Sequence, residues 1–137
     1  MSDWRQRFAC DTCADHRPSD REIARYRCER CGRSLRFTPP AAGRVNEHRG
    51  GPWRYAAWLP CDTHAELDPG NAIGVVPAPA LARELGVRDV WLVDCTRLGT
   101  GTFKDLEAQV HLAAAADLRR EPIALFSTGN TARAYHE

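Results

Sequence analysis

The stretch Val90-Trp-Leu-Val-Asp-Cys-Thr-Arg-Leu-Gly-Thr-Gly-Thr-Phe-Lys-Asp105 passes from an unbroken apolar run, through a Gly/Thr loop, into a helical pattern. The run Val90-Trp-Leu-Val93 is of strand type, four apolar side chains bounded by Asp residues. Phe103, Leu106, Val110, Ala113, Ala114 and Asp117 then trace a helix of about 16 residues. Upstream, Pro79-Ala-Leu-Ala-Arg-Glu-Leu-Gly86 reads as a short helix stopped by Gly86. Downstream, Pro122-Ile-Ala-Leu-Phe126 reads as a second buried strand, and Ser127-Thr-Gly-Asn130 as a loop entering another helix. Strand, helix and strand with such short connections predict parallel strands joined by a right-handed crossover. Both loops would then open on one edge of the sheet, where open α/β folds bind ligands. The expected class is α/β.

Lys104 is the single lysine among 19 basic residues; the other 18 are arginines. A guanidinium stays protonated and delocalised, so arginine cannot stand in where a nucleophilic amine is needed. A lone lysine in a Gly/Thr loop is therefore a Schiff-base candidate, and the start of a helix disfavours its charged form. Gly99-Thr-Gly-Thr-Phe-Lys-Asp105 lacks the residue spacing of a nucleotide-binding P-loop.

Cys10-Asp-Thr-Cys13 and Cys28-Glu-Arg-Cys31-Gly32 form two Cys-x-x-Cys pairs with 14 residues between them. Each pair can present two thiolates to one tetrahedral Zn²⁺, and the spacing is close to that of a zinc ribbon. Gly32 suits the tight turn that aims backbone amides at the sulfurs. Four cysteine ligands leave no open position, so such a metal holds structure and does no chemistry. Cys61 and Cys95 stand apart. His16, His48 and His64 are then unnecessary as ligands and are expected on the surface.

Residues 1–54 hold 12 Arg against 7 Asp/Glu, whereas residues 55–137 hold 7 Arg+Lys against 11 Asp/Glu, which suggests two parts with different jobs. The expected division is a zinc ribbon over 1–37, a Pro/Gly/Arg-rich linker with an aromatic docking segment over 38–60, and an α/β part over 61–137. Arginine enrichment runs through the whole chain and no dense basic run occurs, so nucleic acid is not the expected partner. There is neither an apolar run long enough to span a membrane nor a secretory signal, so a reducing cytoplasm is the expected compartment.

Gly101-Thr-Phe-Lys-Asp105, followed a helix and a strand later by Ser127-Thr-Gly-Asn-Thr-Ala-Arg-Ala-Tyr135, resembles the threonine synthase and cysteate synthase group. These are pyridoxal-phosphate enzymes of the tryptophan synthase β-like fold. The paired Cys-x-x-Cys ribbon and Trp53-Arg-Tyr55 add to the resemblance. It implies a zinc ribbon followed by the N-terminal part of a three-layer α/β domain. It further implies Lys104 as the Schiff-base lysine, which also moves protons at the substrate carbons. Phe103 would border the cofactor ring and Asn130 would bond its 3′-oxygen. Ser127, Thr128, Gly129 and Thr131 would line the substrate carboxylate site. The implied reaction is β- or γ-replacement or elimination on an O-phosphorylated amino acid. The chain corresponds to about the first third of such an enzyme on length alone, and the family's phosphate loop falls in the remainder. A complementing polypeptide or a homo-oligomer is therefore expected for activity. One alternative is a catalytically dead, zinc-stabilised binding or regulatory protein, and a further one is a zinc-ribbon nucleic-acid binder.

Overall fold

The computed structural model describes residues 3–62, 73–118 and 125–136. At the N-terminus a short 3-10 helix, Trp4–Arg7, leads into strand β1 (Phe8–Ala9). Strand β2 (Arg36–Phe37) returns antiparallel to it, with Phe8 opposite Phe37 and Ala9 opposite Arg36. Helix α1 (Asp20–Arg25) lies between them. It forms because Ser19 and Glu22 make a reciprocal capping box, and it stops at Tyr26, whose φ of 50° takes the left-handed conformation. Trp4, Phe8, Ile23, Leu35, Cys10 and Cys28 make the core of this unit. So small a core needs a staple, and the cysteines are placed to provide one.

The Pro/Gly/Arg-rich stretch ends in a run of 3-10 turns, Gly51–Trp58, begun by Pro52. Trp53 is fully buried against Ala113, Ala114 and Cys61, with Leu59 and Val110 at the edges. Gly43 allows the upstream chain to lie on the Trp58 ring, since a Cβ there would come within 2.7 Å of it. The aromatic segment is thus the means by which an otherwise polar linker grips the helix behind it.

Strand β3 (Gly74–Pro77), helix α2 (Pro79–Leu85) and strand β4 (Trp91–Asp94) follow. Pro79 opens α2, and Gly86, at φ 65°, closes it as expected. The strand expected at 90–93 is present as Trp91–Asp94, and it has a partner that the sequence did not suggest. It pairs antiparallel with β3, with Val75 opposite Val93 and Val76 opposite Leu92. A seven-residue helix and short turns simply reverse the chain, and an amide from Ala78 to the Val90 carbonyl (2.9 Å) extends the ladder. The expected strand 122–126 lies, through residue 124, outside the described residues, as does any parallel pairing made by it. Leu125 and Phe126 are not in a strand.

Helix α3 (Lys104–Asp117) is 14 residues long and packs against α4 (Asn130–His136). The arrangement is a mixed α/β one, with two separate two-stranded sheets among the described residues. The three-layer sheet implied by the resemblance is not formed there. The N-terminal unit is tied to the end of α3, where Arg5 Nη2 donates to the Asp117 carbonyl (2.8 Å) and Leu118 packs on the core of that unit. No helix among the described residues is long and apolar enough to cross a membrane.

Candidate metal centre and lysine loop

The sulfurs of Cys10, Cys13, Cys28 and Cys31 all lie within 4.8 Å of one another, and Cys10 and Cys31 approach to 3.5 Å. Four thiolates around one zinc at about 2.3 Å would stand about 3.8 Å apart. The donor set and its spacing therefore fit a tetrahedral metal ion. Each pair sits on a turn: the Cys13 amide bonds the Cys10 carbonyl, and the Gly32 amide bonds that of Cys28 (2.8 Å). Gly32 adopts φ 71°, the left-handed turn its type allows.

The thiols share charge unequally. Burial opposes ionisation of Cys10, but amides of Thr12 and Cys13 and the thiols of Cys31 and Cys28 outweigh it and bring it down to about 7. Hydrogen bonding to Cys31, together with burial, pushes Cys13 up to about 12. A bound cation would remove this asymmetry by taking all four as thiolates.

His16 corrects an expectation. Its side chain is only 13% exposed, and Nε2 meets the Glu22 carboxylate. Glu22, buried beside Cys28, is held down to about 2, first by the Glu29 amide and then by His16 and the Ser19 amide. The Ser19-Asp-Arg-Glu22 capping box was the sequence signal that could have found it. His48 is exposed, and His64 lies outside the described residues.

Several arginines of the N-terminal unit are engaged within the protein. Arg36 forks onto Asp11, Arg5 bonds Asp20 and Asp117, and Arg27 donates to the Gly32 carbonyl.

The lysine loop has a different construction. Lys104 is the first residue of α3, and Nζ donates to Glu107 Oε2 one turn on (2.7 Å) while lying 5.1 Å from the Phe103 ring centre. Phe103 itself is largely exposed. Sequence reasoning missed Asp105. Its buried carboxylate accepts the Thr100 amide (2.9 Å) and the Thr100 hydroxyl, closing the Gly/Thr loop onto the first turn of α3. A carboxylate directly after the lysine and five residues after a threonine was the available signal.

The second loop is open to solvent. Ser127 Oγ accepts the Gly129 amide (3.2 Å), and the Gly129 carbonyl accepts the Arg133 amide, so Gly129 occupies the cap of α4. Asn130 is the first helical residue and is exposed; Thr128 is exposed and Thr131 half-buried. No hydrogen bond joins the two loops among the described residues. Their helices meet lower down, where His111 of α3 bonds and stacks edge-on with Tyr135 of α4. Burial, followed by Glu107 and Tyr26, pushes the Tyr135 phenol up to about 12.

The described residues thus define a mixed helix and strand arrangement with a four-cysteine cluster able to hold a metal ion and a lysine-bearing helix start. The chain is similar to cysteate synthases: 32% identical over 131 residues to that of Methanocella paludicola, covering 90% of this chain and 30% of that protein. It is 33% identical over 92 residues to the cysteate synthase of Methanoculleus marisnigri, and 30% identical over 111 residues to that of Methanocella arvoryzae. These cover 62% and 77% of this chain. The chain spans between 21% and 30% of the length of these curated relatives. No protein-family model matches it, and no solved structure does so significantly.

Proposed function

We propose that this chain is part of a pyridoxal-phosphate enzyme of the cysteate synthase kind, with a structural zinc in its Cys10, Cys13, Cys28 and Cys31 centre. One observation carries the reading: the similarity to a cysteate synthase runs over 90% of the chain, so it includes both the second cysteine pair and Lys104. Cysteate bears a sulfonate on its β-carbon. Among the reactions implied by the resemblance, this selects β-replacement, with phosphate leaving an O-phosphorylated amino acid as a sulfite-level nucleophile adds.

When bound, the cofactor supplies the carbanion stabilisation such a replacement needs. Lys104 would bring the amine, and Asp105 would hold the loop that aims it. Glu107 would keep a carboxylate within proton-exchange distance of that amine. Phe103 and Asn130 would border the cofactor, and Ser127, Thr128, Gly129 and Thr131 would face the substrate carboxylate. The described residues do not by themselves fit the whole cofactor. The Thr100 amide that could meet an anion is already taken by Asp105, and the Asn130 loop is open to water. Phosphate anchoring would then come from polypeptide beyond the described residues. The free thiols suit a reducing, cytoplasmic setting.

A second reading, a zinc-stabilised binding protein without catalysis, draws on the Lys104–Glu107 ion pair, which leaves the amine engaged. Borohydride reduction after pyridoxal-phosphate addition, followed by peptide mass mapping, separates the two. Selective labelling of Lys104, obtained only when a relative's remaining segment is co-purified, supports the enzyme reading. Failure to label Lys104 in a verified complex favours the binding protein.

A further inference from the structure

The trio His16, Glu22 and Cys28 places a nitrogen, a carboxylate oxygen and a sulfur within 4.8 Å of one another, next to the four-cysteine centre. It has the look of a second metal position. Lone-pair accounting excludes that role for Glu22. An ionised carboxylate offers about four acceptor sites. Oε1 takes His16 Nε2 and the Glu29 amide (2.8 Å), and Oε2 takes the Ser19 amide (2.8 Å) and the Ser19 hydroxyl (3.1 Å). No site remains for a cation.

We infer that Glu22 is the positioning residue of the metal centre: it fixes the backbone on both sides of Cys28, while His16 locks its carboxylate in place. The Glu22 backbone carbonyl accepts the Arg27 amide (3.1 Å), and its side chain accepts the Glu29 amide. Cys28, whose side chain is wholly buried, is thus gripped through the residues before and after it by one amino acid. Partners behind the ligands commonly set metal affinity by holding ligands in place, and losing one costs about 10–100-fold. Glu22 does this through the backbone and donates nothing to the metal. The inference rests on the metal-centre reading, which the zinc content of the unaltered chain tests separately.

The test uses the full chain, reduced and anaerobic, with Zn²⁺ competed against a chelator and Co²⁺ as the spectroscopic probe. Glu22→Ala should weaken Zn²⁺ about 100-fold, and Glu22→Gln should recover part of this, to about 10-fold, because its amide oxygen can still accept from Glu29. Ser19→Ala removes a helix cap but leaves both flanking amides bonded, so it should cost no more than about fivefold. The sulfur-to-cobalt charge-transfer bands should be the same in all variants, and in His16→Ala, because the four sulfur ligands are untouched. If Glu22→Ala does not fold, the transfer rate of zinc from Glu22→Gln to the chelator carries the test, with about tenfold acceleration expected. A Glu22 variant no worse than Ser19→Ala, or an unchanged transfer rate, overturns the inference. So does a cobalt spectrum that His16→Ala alters, because His16 would then be a ligand. An unaltered chain that binds no metal overturns it together with the metal reading.

Discussion

Replacing Asp105 tests whether the lysine loop is held from within. Asp105 Oδ2 accepts the Thr100 amide at 2.9 Å and Oδ1 accepts the Thr100 hydroxyl, with both residues below a tenth exposed. In Asp105→Ala the Thr100 hydroxyl keeps Thr102 Oγ1 at 3.1 Å, but the amide is left buried without a partner. An orphaned buried amide costs about 1–3 kcal/mol. Losing an acidic residue from the first turn of α3 adds about 0.3–1 kcal/mol. The sum is about 1.3–4 kcal/mol. Asp105→Asn should cost less, about 1 kcal/mol, since its amide oxygen can keep the Thr100 amide and the hydroxyl can turn to accept. Urea unfolding at saturating zinc reads the global term, and hydrogen exchange at the Thr100 amide reads the local one. Equal stability for the alanine and asparagine variants, or an unchanged Thr100 exchange rate in Asp105→Ala, would refute the clamp.

Three further outcomes are expected. Trp53→Ala should destabilise the chain by about 3–5 kcal/mol by thermal or urea unfolding, because a fully buried ring is removed from between the 3-10 turns and α3; a loss under about 1 kcal/mol would contradict the docking role. Cys61 should resist alkylation, since burial, then Asp117 and Asp62, push its thiol up to about 12 and leave about one thiolate in ten thousand at pH 8. With metal bound, Cys95 should be the one readily labelled thiol, so mass mapping that finds Cys61 labelled as fast as Cys95 contradicts the burial argument. Chelator treatment should remove about one metal per chain and abolish the tertiary circular-dichroism signal of Trp4, because the ribbon core is small and zinc supplies about 10–16 kcal/mol in comparable modules.

The cysteine centre was legible because its chemistry is local. Two Cys-x-x-Cys turns, one closed by Gly32, need little tertiary information to bring four sulfurs together. Helix α2 was legible for the same reason, with Pro79 and Gly86 marking its ends. Strand β3 was not, because Gly74 and Pro77 flank only two β-branched residues and its pairing depends on where α2 returns the chain. His16 was expected at the surface because a histidine beyond a complete ligand set has no metal to serve. Only the fold brings it to Glu22, and Glu22 to both neighbours of Cys28. Asp105 carries no compositional signal of its own among 18 acidic residues, whereas its neighbour Lys104 is the single lysine. The loop's rigidity, however, comes from the carboxylate.

The most direct measurement is an absorbance titration of the zinc-loaded chain with pyridoxal phosphate, alone and together with the segment of a cysteate synthase that this chain does not match. Alone, no saturable band at about 410–430 nm should form at stoichiometric cofactor, because the Thr100 amide of the lysine loop is already held by Asp105 and the described residues offer no other anion cradle beside Lys104. In the complex the band should appear, saturate at about one cofactor per chain, and be lost in Lys104→Ala. Tight stoichiometric binding by the chain alone, or a band that survives Lys104→Ala, would contradict the account.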